Sequence, residues 1–165
     1  MNPKQVMKTI SILLAILAGF MTIPALMSVY YGEGFGIMAY ATPVLSMIAI
    51  AALFLTLFAN EKNDTLSTRD GFLFVTLSWI MASLFGAMPF YLSGAVPSFA
   101  DAFFETISGF STTGASILTN VEALPRSLLF WRSLTHWLGG MGIVVLTVAV
   151  LPLLGIGGLQ LVKAE

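Results

Sequence analysis

Residues 101–118 read DAFFETISGFSTTGASIL, and the fold turns on what this stretch cannot do. It lies between long apolar segments, yet it is too short to cross a bilayer. A helix over about 99–110 rises roughly 18 Å at ~1.5 Å per residue, against a hydrocarbon core of about 30 Å. Ser111, Thr112, Thr113, Gly114, Ala115 and Ser116 follow, small residues that favour extended or turning backbone over helix. A short helix followed by irregular backbone, flanked by spanning helices, is the pattern of a re-entrant loop. Each unpaired N–H or C=O in hydrocarbon costs several kcal/mol, so such backbone survives only when packed in protein or lining a water-filled path. The stretch therefore predicts a pore.

The composition agrees with a membrane setting. Of 165 residues, 58% are hydrophobic and only 9% are charged, where a soluble domain carries about 25%. The chain reads as an integral membrane protein whose first partner is the lipid bilayer. A net charge of −1 argues against a general polyanion binder, nucleic acid included. With no cysteine there are no disulfides, thiolate metal sites or cysteine nucleophiles. A single histidine, His136, leaves no multi-histidine metal site within one chain. A membrane enzyme would have to rely on Glu105, Arg132 and His136, and no second carboxylate, cysteine or metal cluster stands beside them. The reading is not an enzyme, and no cofactor is called for.

Outward from the loop, charges divide the chain. Between Lys8 and Glu33 lie 24 uncharged residues, enough for a first spanning helix over about 9–31, bent at Pro24. Lys4 and Lys8 before an apolar run also resemble a signal peptide opening. The run is too long for one, however, and no small-residue cleavage site closes it, so a retained helix is expected. Gly32-Glu33-Gly34 makes a turn too short for another re-entrant element. A second helix follows, starting near Pro43 or somewhat before and ending by Asn60. Residues 61–70, EKNDTLSTRD, form the hydrophilic linker, with Ser67 or Thr68 before Asp70 suited to a helix start. A third helix should run from Gly71 to about Leu92, its end marked by Pro89 and Ser93-Gly94. Pro97-Ser98 opens the short helix, with Asp101 and Glu105 near its positive end. After the polar connection 120–125, a fourth spanning helix covers Ser127 to about Leu151, with Pro152 and Gly155-Ile156-Gly157-Gly158 loosening its exit.

The expected fold is thus all-α: four transmembrane helices plus one re-entrant pore helix and filter loop. Residues 1–60 form a leading helix pair, 61–70 a cytoplasmic linker, and 71–165 a helix–pore–helix repeat with pore helix and filter at about 99–118. Lys4, Lys8, Lys62, Arg69 and Lys163 fall on one side, and only Arg126 and Arg132 on the other. That bias puts both termini in the cytoplasm and brings the loop in from outside. Glu33, Asp101, Glu105 and Glu122 then lie on the outer half, where they either draw cations or serve as ordinary interfacial charge.

A dehydrated cation needs several oxygens at fixed positions. Carbonyls of an extended loop supply them in a row without a full charge that would trap the ion. The short helix adds the negative end of its dipole beneath that row. Gly114 can take a positive φ, turning carbonyls on either side toward one axis. Thr112 and Thr113 offer carbonyls, with hydroxyls as further ligands or braces. TTG turns are common, and this one gains weight from its context.

DAFFETISGFSTTGAS, followed by LPRSLLFWRSLTHWLGGMGIVVLTVAVLPLLGIGGLQLVKAE, resembles the Trk-type potassium transporters of the Trk/Ktr/HKT superfamily. The likeness extends through GFLFVTLSWIMASLFGAMPF to the leading helix pair and covers essentially the whole chain. It implies that 101–110 is the first pore helix and Ser111 to Gly114 the first filter segment. Thr112 and Thr113 would ligate K⁺, the transported ion, and Gly114 would be the filter glycine, where serine goes with sodium preference. It also implies the inner membrane of a prokaryote and a cytoplasmic nucleotide-binding regulatory subunit. Family members carry four helix–pore–helix repeats around one pore, whereas this chain has one. The expectation is an N-terminal piece of a longer transporter, or identical copies around a fourfold axis. A reading from another class is a non-conducting assembly or regulatory subunit, which ion flux abolished by changes at Gly114 would exclude.

Arg132 is costly if lipid-facing. It either pairs with Glu105 behind the filter, with Ser111 as a further support of the loop, or snorkels to the outer headgroups. His136, one turn later, reads as a packing or hydrogen-bonding residue. Gly139, Gly140 and Gly142 allow close approach of a neighbouring helix. Trp79, Trp131 and Trp137 read as packing or interfacial anchors, and Phe103 and Phe104 as core wedges.

Overall fold

Runs of uncharged sequence become helices because lipid offers the backbone no other partner. Our computed structural model describes residues 3–35, 37–59 and 68–153, with side chains in the last span described over 69–144. In chain order the elements are α1 (Pro3–Tyr30), α2 (Met38–Leu57), α3 (Thr68–Leu92), α4 (Phe99–Phe110) and α5 (Arg126–Leu153), with a 3₁₀ turn at Val121–Ala123 before α5. There is no strand among the described residues, and the protein is an all-α membrane protein. Within those residues α1, α2 and α3 are long and apolar enough to cross a membrane. At 28 residues, α5 extends about 42 Å.

Val6, Ile10, Leu14, Leu17 and Met21 recur at three- and four-residue steps along α1 and are buried. That stripe packs on α2 and α3. Ile12, Ile16, Ile23 and Leu26 are exposed, so α1 is apolar all round, as a helix in lipid must be. α1 continues through Pro24, α2 through Pro43 and α3 through Pro89.

Several boundaries move from the sequence reading. α1 begins six residues early, at Pro3, and α2 begins at Met38, about a turn before Pro43. α3 begins at Thr68, so Thr68–Asp70, read as the end of the linker, form its first turn. The rest of that linker lies outside the described residues. α3 ends where expected: Ser93 N–H donates to the Pro89 carbonyl, and Gly94 turns the chain at φ +76°. α5 passes through Pro152 to Leu153, and Gly155-Ile156-Gly157-Gly158 lies outside the described residues.

The short helix α4 sits between α3 and α5, and α1 also touches α5. Trp131 of α5 is fully buried and donates its indole N–H to the Gly86 carbonyl of α3 at 2.9 Å. That bond ties together the two helices that flank α4.

Candidate functional site

α4 begins at Ser98, whose extended backbone and side-chain oxygen cap the helix; Oγ accepts from Asp101 N–H at 3.4 Å. Ala102, Glu105, Thr106 and Gly109 follow at steps of three, one and three, and all are buried on one face. The face is made of small or polar groups, which lets its neighbours come close. A Cβ placed on Gly109 would collide with Thr135 Oγ1, and one on Gly139 would lie 2.6 Å from the carbonyl carbon of Phe110. α5 therefore crosses the C-terminal end of α4 with backbone nearly against backbone. A Cβ on Gly140 or Gly142 would meet only ordinary contact, 3.9 Å to Thr112 Cγ2 and 3.8 Å to Trp79 Cη2.

Beyond α4 the chain turns and runs back beside it. Ser111 N–H donates to the Ile107 carbonyl at 2.8 Å and Thr112 N–H to Gly109 at 2.9 Å. Ser108 then holds the return at two points: its carbonyl accepts from Thr113 N–H at 3.0 Å, and its Oγ donates to the Ala115 carbonyl at 2.6 Å. Further back, Ser116 Oγ donates to both Glu105 oxygens at 3.1 and 3.0 Å, and Ile117 N–H donates to Oε2 at 3.1 Å. So Ala115 lies beside Ser108, and Ser116–Ile117 beside Glu105. This is a hairpin of helix and extended chain.

Two residues of the turn have left-handed backbone, Thr112 at φ +57° and Gly114 at φ +76°. Glycine takes this conformation without strain, whereas a β-branched residue meets roughly 1–2 kcal/mol of Cβ crowding. Residues 111–117 are all exposed. Among the described residues no hydrogen bond reaches the carbonyls of Ser111, Thr112, Thr113 or Gly114. The Ser111 and Thr113 hydroxyls bond each other at 2.8 Å. Four consecutive carbonyls thus stand unclaimed at the negative end of α4.

Glu105, 2% exposed, anchors the hairpin from the other side of the return. Besides Ser116 and Ile117 it accepts from Arg132 Nε at 2.6 Å, so a buried negative charge meets a cation and two neutral donors. Arg132 lies against Glu105, as the pairing reading expects, with its side chain 20% exposed. Ser111, Thr112, Thr113 and Gly114 occupy the exposed turn, and Glu105 and Arg132 meet at the base of its return.

Sequence reasoning missed Ser108, Ser116 and the Ile117 amide, because they matter only once the chain doubles back. The acidic residues also divide in use. Glu105 is consumed by its pair, and Glu33 binds the start of α5, accepting from Ser127 N–H at 3.0 Å and from the Ser127 hydroxyl. Asp101 is half-buried and Glu122 exposed. Phe103 is half-buried, but Phe104 is 43% exposed and faces outward, so it is no core wedge. Trp79 lies edge-on to Phe110 and half-buried, while Trp137 is exposed and touches Phe20.

These features describe a helical membrane protein in which the chain after one short helix folds back beside it. A model of the TrkH family, described as cation transport protein, matches residues 40–165, and the chain belongs to this family. It is 39% identical over 166 residues to the Trk system potassium uptake protein TrkH of Escherichia coli (strain K12), covering all of this chain and 34% of that protein. It is 44% identical over 107 residues to TrkG of the same strain, covering 64% of this chain and 22% of TrkG. It is 34% identical over 160 residues to TrkI of Halomonas elongata, covering 97% of this chain and 32% of TrkI. The chain spans about a third of the length of the curated relatives it matches. No solved structure matches.

Proposed function

We propose that this chain takes part in potassium uptake across a prokaryotic inner membrane, supplying one of four filter segments. The observation that carries the reading is the exposed run at Ser111–Gly114, whose carbonyls have no partner among the described residues and whose glycine sits at φ +76°. K⁺ would be held by the carbonyls of Thr112 and Thr113, which replace its hydration without a counter-charge that would hold it too long. Glu105 and Arg132 lie outside the row and act by fixing the return of the hairpin. Because the run is open on one side, three further segments, from the same polypeptide or identical copies, would close around the ion. Lysine and arginine bias supports cytoplasmic termini. The names of its relatives, each a Trk system potassium uptake protein, support potassium as the cargo. The cytoplasmic nucleotide-binding regulatory subunit rests on the family resemblance alone.

The test is uptake in cells that lack their own potassium systems, using the assembled transporter that contains this chain. Wild type should restore growth at low potassium, and Gly114→Ser should shift preference toward sodium. Potassium flux that is indifferent to Gly114 would remove the filter reading. Absence of flux from every assembly would leave the non-conducting subunit.

A further inference from the structure

The leading helix pair grips the repeat at a place the filter reading does not use. Glu33 lies in the turn between α1 and α2, and its Oε1 accepts from the backbone N–H of Ser127, in the first turn of α5, at 3.0 Å. Its Oε2 accepts from the Ser127 hydroxyl, which in turn accepts from Tyr40 OH of α2 at 2.9 Å. Tyr40 and Ser127 are both 0% exposed. Beside them the Arg126 guanidinium lies 4.9 Å from the centre of the Tyr31 ring. A carboxylate from 94 residues away thus caps the positive end of α5.

What α5 does next gives this cap its consequence. Five residues on, Arg132 meets Glu105; Thr135 abuts Gly109; Gly139 lies against the Phe110 carbonyl. Each of these contacts depends on where α5 sits along its own axis, and each borders α4 or the return of the hairpin. We propose that Glu33, with Tyr40 and Ser127, is a positioning residue for the ion-selective segment: it sets the axial register of α5, and α5 transmits that register to residues 111–117. The inference rests on the reading of Ser111–Gly114 as a filter.

The experiment measures KM for potassium and potassium-over-sodium preference in the assembled transporter, with uptake normalised to protein in the membrane. Glu33→Ala should lower the preference by about fivefold and raise KM, the size expected for loss of a helix cap. Tyr40→Phe, which removes one hydroxyl, should lower it about two- to threefold. Adding Ser127→Ala to Glu33→Ala should bring little further loss, because the two act as one unit. Unchanged KM and preference, with uptake falling only in proportion to protein amount, would overturn the proposal and leave Glu33 as a stabilising cap. If Glu33→Ala does not reach the membrane, Tyr40→Phe decides by the same readout. Gly114→Ser run alongside separates the two levels. If it shifts preference while the Glu33 and Tyr40 variants do not, this inference alone fails; if it does not, the filter reading fails and takes this inference with it.

Discussion

Arg132 Nε and Glu105 Oε1 are 2.6 Å apart, and the Glu105 side chain is 1% exposed. A charge so placed is tolerable only while its partners stay. Removing one member of such a pair costs about 3–5 kcal/mol, since the other is left desolvated and unmatched. Glu105→Ala and Arg132→Ala should each destabilise the protein by that order, read as thermal unfolding in detergent. Glu105→Gln combined with Arg132→Gln should cost less than the sum of the singles. A charge swap should not rescue, because arginine at 105 would face the Ser116 hydroxyl and the Ile117 N–H, both donors to the native carboxylate.

Thr112 and Gly114 share a left-handed backbone but differ in what they sacrifice for it. Gly114→Ala should destabilise by about 1–2 kcal/mol, because alanine resists this φ. Thr112→Gly should leave unfolding within about 1 kcal/mol of wild type, the relieved crowding offsetting the extra freedom of the unfolded chain. Paired melting curves of the two variants check the contrast.

Much of this fold can be read without coordinates, and the reasons are local. Helix spans follow from uncharged runs, the length of α4 from Ser98 and the small residues after Phe110, and the positive φ of Gly114 from the absence of a Cβ. Thr112 is different: nothing in its own chemistry asks for φ +57°, which arises because Gly109 and Ser108 take the amides on either side of the turn. Ser116 meets Glu105 across 11 positions and Glu33 meets Ser127 across 94, and no periodicity links residues so far apart. Sequence leaves Arg132 either pairing with Glu105 or snorkelling, because both satisfy the same arginine; the pairing is seen as a 2.6 Å contact that only the fold brings about.

Close approach at α5 makes a third prediction. Gly139→Ala drives a methyl into the Phe110 carbonyl and should cost about 1–3 kcal/mol, with loss of uptake as the end of α4 is pushed aside. Gly142→Ala meets only Trp79 at 3.8 Å and should be tolerated. Uptake and melting temperature measured on both variants distinguish contact from mere helix propensity.

Ser108 offers a fourth. Its Oγ donates to the Ala115 carbonyl at 2.6 Å, a bond worth about 0.5–1.5 kcal/mol net. Ser108→Ala should leave α4 in place, free that carbonyl, and loosen the return of the hairpin. Potassium-over-sodium preference should fall while the amount of protein in the membrane stays near wild type. A preference unchanged in competitive uptake would mean the remaining bonds to Glu105 hold the return alone.

The buried face of α4 also bears on the order in which its partners become available during synthesis. Glu105 leaves the ribosome 27 residues before Arg132. Until the arginine emerges, the carboxylate has no cation to meet, and placing it in hydrocarbon would be opposed by a few kcal/mol. An α4 placed in hydrocarbon before α5 would lack both the arginine that meets Glu105 and the glycine that lets Phe110 sit close. The short helix is thus stable in its place only as one half of a pair with α5.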